Sequence, residues 1–191
     1  RDPEYDDKVG QRLDGRDLVG EWQRSHPGGA YVWSKAQLDA AKDADALLGL
    51  FEPDHMQFNH DRNPAGTGDP TLASMTTAAI NVLSKNPQGY VLLVEGGRID
   101  HANHMGNAFR ALDETIAMSD AVRAAVTATS AGDTLILVTA DHSHVLSFSG
   151  YPVRGNPILG KVRGIGGEDD MPGDLVRDAT GQVFTTLVYA N

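Results

Sequence analysis

Two short blocks of this sequence set carboxylates and imidazoles at spacings that suit a metal ion. The first runs Glu95-Gly96-Gly97-Arg98-Ile99-Asp100-His101-Ala102-Asn103-His104 and the second Asp141-His142-Ser143-His144; together they hold four of the seven histidines. Asp100 and His104 are four apart, so on a helix they share a face and can reach one cation. A carboxylate with an imidazole suits zinc, and a third protein ligand would have to come from elsewhere. Glu95 offers only oxygen, which fits magnesium better. Asp141 and His142 are adjacent and would point to opposite faces of a continuous strand, so they share a metal only where the chain turns. His144 is placed to orient a ligand carboxylate through an imidazole hydrogen bond. His101, next to Asp100, is read as facing a substrate rather than a metal.

The elements that must present these blocks can be read from the flanking residues. Val91-Leu92-Leu93-Val94 precedes the first block and Leu135-Ile136-Leu137-Val138 the second. Both apolar runs read as buried strands. The stretch from about Asn103 to Ser130 reads as one long helix with an apolar stripe of Phe109, Leu112, Ile116, Val122 and Val126. A strand–helix–strand unit of this kind should be parallel with a right-handed crossover. That puts both blocks at the carboxyl edge of a sheet, where ligands bind in open α/β folds. A single Asp-His pair after a strand is usually an ordinary loop; two in this arrangement seldom coincide.

Elsewhere, short helices are expected from Asp17 to Arg24 and from Lys35 to about Ala44, the latter capped by Ser34. A third buried strand is expected at 46–51, a loop over 54–70 with Asn63-Pro64 and Gly66-Thr67-Gly68 as turn signals, and a helix opened by Asp69-Pro70 that runs to about Lys85. Residues 147–178 read as loop and 183–189 as a closing strand. His26, His55 and His60 read as surface residues, Met105 and Met118 as packing residues. Asp6-Asp7 and Glu168-Asp169-Asp170 read as solvated loop charge.

Composition bounds the rest. With 191 residues and 40% apolar content the chain can bury a core. No apolar run approaches the roughly 20 residues of a membrane helix. The formal net charge of −10 disfavours nucleic-acid backbones as partners. It would also repel a phosphate substrate unless bound cations reverse the field locally. With no cysteine, any metal must be held by Asp, Glu, His, carbonyls or water.

At the residue level the two blocks resemble the metal-binding signatures of the alkaline phosphatase family: Val94-Glu95-Gly96-Gly97-Arg98-Ile99-Asp100-His101 and Val138-Thr139-Ala140-Asp141-His142-Ser143-His144. The likeness extends to Gly15-Arg16-Asp17-Leu18-Val19, Leu48-Gly49-Leu50-Phe51-Glu52-Pro53, Lys85-Asn86-Pro87, Tyr151-Pro152-Val153-Arg154-Gly155-Asn156-Pro157-Ile158 and the closing strand. It covers nearly the whole chain and is weakest over 160–182. The Gly-Gly-Arg after the glutamate and the His after the aspartate resemble the animal-type enzymes.

The resemblance implies an α/β, alkaline phosphatase-like layered fold with a largely parallel central sheet and flanking helices, incomplete in this chain. Residues 1–191 then form a single partial domain from which the nucleophile segment and the C-terminal segment are absent. It implies Asp100 and His104 as ligands of a first zinc, Asp141 and His142 of a second, and Glu95 of magnesium. His101 is implied near the bound phosphate and His144 behind the ligands. A calcium site built from the Phe51 carbonyl, Glu52 and Asp69 is also implied. The implied activity is phosphate monoester hydrolysis by a serine nucleophile that these residues do not contain, since Ser119-Asp120-Ala121 has the wrong order. Alternatives are a phosphodiesterase or sulfatase-type relative on the same scaffold, or an inactive metal-binding fragment; the isolated piece is expected to be inactive. Small phosphate monoesters as partners, a homodimer, and secretion or a periplasmic location follow from the resemblance alone.

Overall fold

The computed structural model describes residues 8–62, 68–166 and 171–189. The turn signals at Asn63-Pro64 and Gly66-Thr67 and the acidic groups Asp6-Asp7 and Glu168-Asp169-Asp170 lie outside the described residues. Contacts divide the chain into two compact units, residues 1–96 with 113–137 and residues 97–112 with 138–191.

In the first unit, helix α1 (Leu18–Ser25) begins where the Asp17 carboxylate accepts the Gly20 N–H at 3.0 Å. Strand β1 (Gly29–Val32) pairs in parallel with β2 (Ala46–Gly49), Gly29 opposite Ala46 and Val32 opposite Gly49. Between them lies α2 (Lys35–Ala40), and the Ser34 hydroxyl accepts the Gln37 N–H as its cap. This helix stops short of Ala44, because the chain must turn so that the Asp45 N–H reaches the Gly28 carbonyl and β2 can start. β1 was not foreseen: Gly29-Ala30-Tyr31-Val32 is too short for a period to show. Helix α3 (Leu72–Leu83) is capped by Thr71 rather than opened by Pro70, which is fully buried. Val32, Leu38 and Phe51 form the core here, with Leu47, Met56 and Met75 packed around them.

The second unit opens with α4 (Arg98–His104); α5 (Ala108–Ala128) begins after a three-residue break, and its residues from Asp113 onward belong to the first unit. One continuous helix from Asn103 was expected. The chain instead closes α4 with paired bonds, Gly106 N–H to the Asn103 carbonyl and Asn107 N–H to the Ala102 carbonyl, with Gly106 at φ +62°. This is a Schellman closure, and it needs the left-handed backbone that glycine adopts most easily. Asn107 then restarts the chain as helix, its side chain accepting the Arg110 N–H at 3.1 Å. The expected stripe on α5 is also displaced. Phe109, Ile116 and Val126 are exposed, whereas Ala111, Glu114, Ala117 and Ala121 are buried. Glu114 is accommodated because its carboxylate accepts the Asn59 N–H, while the Asn59 side chain donates to Asp113, within the first unit. Met105 is exposed rather than packed.

The stretch read as loop contains strands β3 (Leu146–Phe148), β4 (Arg163–Gly166) and β5 (Met171–Leu175). β4 and β5 pair antiparallel. β3 pairs antiparallel with the closing strand β6 (Leu187–Tyr189), Leu146 opposite Tyr189. Val153, Val162 and Leu187 are buried here.

The segments 91–94 and 134–138 are not strands, and Val91, Leu93, Leu135 and Leu137 are exposed. Exposure alternates along 91–96, as in an extended chain with one covered side. A strand exists only as part of a hydrogen-bonded ladder, and among the described residues none pairs with either segment. The expected strand–helix–strand pairing is therefore absent from these residues, although helices and small sheets of an α/β chain are present.

Gly106→Ala should cost about 1 kcal/mol in urea unfolding, the penalty for a Cβ in left-handed backbone. Space is not limiting, since the added carbon would meet only the Tyr189 ring at 3.8 Å.

Candidate metal centre

Asp100 is the hub of the second unit. α4 places it one turn before His104, and the loop after residue 138 returns to it with His142 and His144. His144 Nε2 lies 2.9 Å from Asp100 Oδ1. His142 Nε2 lies 3.4 Å and His104 Nε2 3.5 Å from the same oxygen. The His144 ring stands edge-on to both His104 and His142, at centroid distances of 4.9 and 5.2 Å. His144 is the most buried of the three, with 18% of its side chain exposed against 70% for His104 and 54% for His142, so it lies behind the other two.

These separations sort the imidazoles. Two donors each about 2.0–2.2 Å from one tetrahedral zinc stand roughly 3.3–3.5 Å apart. His104 meets that spacing against Asp100, and His142 meets it against Asp141. His144 sits at hydrogen-bond distance, as a ring that donates its Nε2–H to the carboxylate. Asp100, His104 and His144 each offer a donor atom within 4.8 Å of the others. The shorter His144 contact and its deeper burial nevertheless favour an orienting role for that ring. The His142 Nδ1 lies 3.2 Å from the Ser143 carbonyl oxygen. A carbonyl only accepts, so Nδ1 carries the proton and the Nε2 lone pair is left for a cation. Asp141 is exposed, and a bend at that residue brings its Oδ2 within 3.5 Å of His142 Nε2.

Electrostatics keeps the hub anionic. Burial, the strongest single influence on Asp100, pushes its carboxyl pKa up. The His144 hydrogen bond and the charges of His104, His144 and His142 outweigh it and hold the group below its ordinary value. Asp100 therefore stays a carboxylate, the form a metal needs, further into acid than a free aspartate would.

Tyr189 joins the two ligand-bearing segments. Its hydroxyl donates to Asn103 Oδ1 at 2.8 Å on α4, and its backbone pairs with Leu146, two residues after His144. Burial raises the pKa of this phenol, which keeps it protonated as the donor. Sequence reading had no signal for this link, because its partners lie 86 residues apart. His101 Nδ1 lies 2.9 Å from Arg98 Nη1 on the same helix. The three-residue spacing could have revealed that pair.

Three predicted positions belong to the first unit, together with Glu95. Glu95 is exposed on the segment 91–96. Phe51 is buried in the core, Glu52 is half-buried, and Asp69 accepts the Gln57 N–H at 3.1 Å. His26, His55 and His60 are exposed, and His26 stacks on Trp22 at 4.7 Å.

A carboxylate ringed by imidazoles, on a helix and a loop of an α/β chain, is a donor set that could hold a metal ion. A sequence model of the alkaline phosphatase family matches residues 1–184, and the chain belongs to that family. It is 44% identical over 194 residues to the tissue-nonspecific alkaline phosphatase of Rattus norvegicus, an alignment covering 98% of this chain and 34% of the rat protein. For the Gallus gallus isozyme the identity is 45%, with 99% and 35% covered. For the Homo sapiens isozyme it is 43%, with 98% and 34% covered. The chain thus spans about a third of the length of these relatives. Among solved structures it resembles the alkaline phosphatase of Thermus thermophilus at a TM-score of 0.55 and 37% identity, over 62% of this chain and 24% of that one. It also resembles a cold-active alkaline phosphatase from the psychrophile Shewanella at a TM-score of 0.51 and 30% identity, over 62% and 28%.

Loss of a ligand and loss of its support should differ. His144→Gln should weaken zinc binding by about 10–100-fold, the range for a residue that orients a ligand. His104→Ala should weaken it more. Competition against a chromophoric chelator measures both, and equal losses would make His144 a direct ligand.

Proposed function

We propose that the protein carrying this chain hydrolyses phosphate monoesters with two zinc ions and one magnesium ion. The observation that carries this reading is the convergence of three imidazoles on the Asp100 carboxylate. The donor set fits zinc: nitrogen and oxygen donors only, at separations that coordination would produce. Asp100 and His104 would hold the first zinc, Asp141 and His142 the second, and Glu95 the magnesium. Bound there, the ions would act as Lewis acids that stabilise charge on the phosphoryl oxygens. They would also cancel the acidity of a chain with net charge −10, which otherwise repels such a substrate.

The chain's own residues place charge rather than make bonds. His144 orients Asp100 through the 2.9 Å contact. His142 keeps its Nε2 lone pair outward through its Nδ1 contact with Ser143. Tyr189 holds α4 against the strand that follows the histidine loop. His101 would stand near the bound phosphate. The serine nucleophile is assigned to a part of the family fold that these residues do not span. A calcium ion on the Phe51 carbonyl, Glu52 and Asp69 would brace the first unit. Export from the cytoplasm and a homodimer complete the proposal; among the described residues no helix is long and apolar enough to cross a membrane.

Asp100→Ala in the metal-loaded protein should lower kcat on an aryl phosphate monoester by at least about 10³-fold, through loss of a zinc ligand and of the charge it places. Metal analysis should show the first zinc gone. Unchanged turnover with full zinc content refutes the assignment, and a strong preference for aryl phosphate diesters would move the protein to the phosphodiesterases.

A further inference from the structure

We propose that Asn103 and Tyr189 are positioning residues that set the affinity of the first zinc position, and its preference for zinc over a larger cation, without touching the ion. The Tyr189 hydroxyl lies 2.8 Å from Asn103 Oδ1, and Asn103 Nδ2 lies 2.9 Å from the Ile99 carbonyl oxygen. A carbonyl only accepts, so the amide turns its nitrogen to Ile99 and its oxygen to the phenol, which donates. Burial, which raises the phenol pKa, keeps that donor proton in place. The relay therefore has one direction, from β6 through Asn103 to the first turn of α4. It ends on the residues directly before the two ligands: Ile99 precedes Asp100, and Asn103 precedes His104.

The grip matters because α4 is too short to hold that turn by itself. It has seven residues and no side-chain cap at Gly97. An isolated helix is marginal in water below roughly 12–15 residues. The 3.5 Å separation of Asp100 Oδ1 and His104 Nε2 is a property of this one turn. The Asn103 amide ties the turn back to Ile99, and Tyr189 holds the amide. Tyr189 is itself fixed: its backbone pairs with Leu146, and its ring lies against Gly106, where an added Cβ would be 3.8 Å away. Leu146 follows His144 by two residues, so the relay closes a ring of contacts whose other side is the His144–Asp100 bond. A braced turn keeps the ligand spacing of a short-bonded ion such as zinc. A slack turn lets the ligands spread around a larger one, because selectivity between cations follows site size and flexibility.

The inference rests on the metal reading of Asp100 and His104 given above, and not on the reaction. Zinc-loaded and cadmium-loaded forms of the full-length protein are titrated with a chromophoric chelator, the first position being the binding step that His104→Ala removes. Tyr189→Phe deletes only the hydroxyl and should weaken zinc there roughly fivefold, about the worth of one hydrogen bond. Cadmium affinity should hold, so the zinc-to-cadmium ratio falls by the same factor. Asn103→Ala should act alike, and the double variant should bind zinc no worse than the weaker single, because both substitutions remove one relay. Leu187→Ala truncates a buried side chain on β6 but leaves the relay, and should leave the ratio unchanged. Zinc binding unaltered in Tyr189→Phe overturns the proposal. So do equal losses for zinc and cadmium, which a general loosening of the fold would give, and losses that add in the double variant. Zinc binding that His104→Ala does not change overturns it together with the metal reading. The stated ratio shift in a protein that hydrolyses no phosphate monoester upholds the relay and overturns the phosphatase reading alone.

Discussion

The bond from His144 to Asp100 is the contact on which the candidate centre depends. It spans 44 residues of sequence and ties the loop after residue 138 to helix α4. Without it, Asp100 and His104 would be a pair on a short helix, and Asp141 and His142 a pair in an exposed bend. Neither pair alone has the donors a stable zinc site needs. With it, three imidazoles surround one carboxylate whose pKa is held down, so the anionic form is kept for a cation.

That contact is supported from behind. Ala102 is fully buried on α4, and Asn103 on the same helix accepts from Tyr189, whose strand β6 pairs with β3 directly after the histidine loop. The Schellman closure at Gly106 ends α4 within one turn of His104, so α4 is a short, separately anchored element rather than the start of α5. Positioning by several independent bonds is what a metal centre requires, because donor directions must hold to within a few tenths of an ångström.

Imidazole chemistry in this unit is divided by hydrogen bonding rather than by residue type. His144 donates to a carboxylate, His142 is turned into a lone-pair donor by a carbonyl, and His101 receives a bond from a guanidinium. Which contacts each ring can make is set by the neighbour of one ring nitrogen.

The sequence by itself determined which residues carry donors and how those within one helical turn relate. The spacing of Asp100 and His104, the cap at Ser34, and the family signature were legible because each depends on residues a few positions apart. Tertiary structure alone decided the rest. Leu135 and Leu137 have the composition of a buried strand, yet they are exposed, because a strand needs a partner that local composition cannot specify. Phe109, Ile116 and Val126 made a plausible helix stripe, but the buried positions of α5 are alanines and a bonded Glu114, chosen by what stands opposite them. The meeting of His144 with Asp100 and of Tyr189 with Asn103 has no local signature at all. Such contacts form only once distant segments have packed, since the free energy that selects them is a property of the packed interior and not of any short stretch of chain.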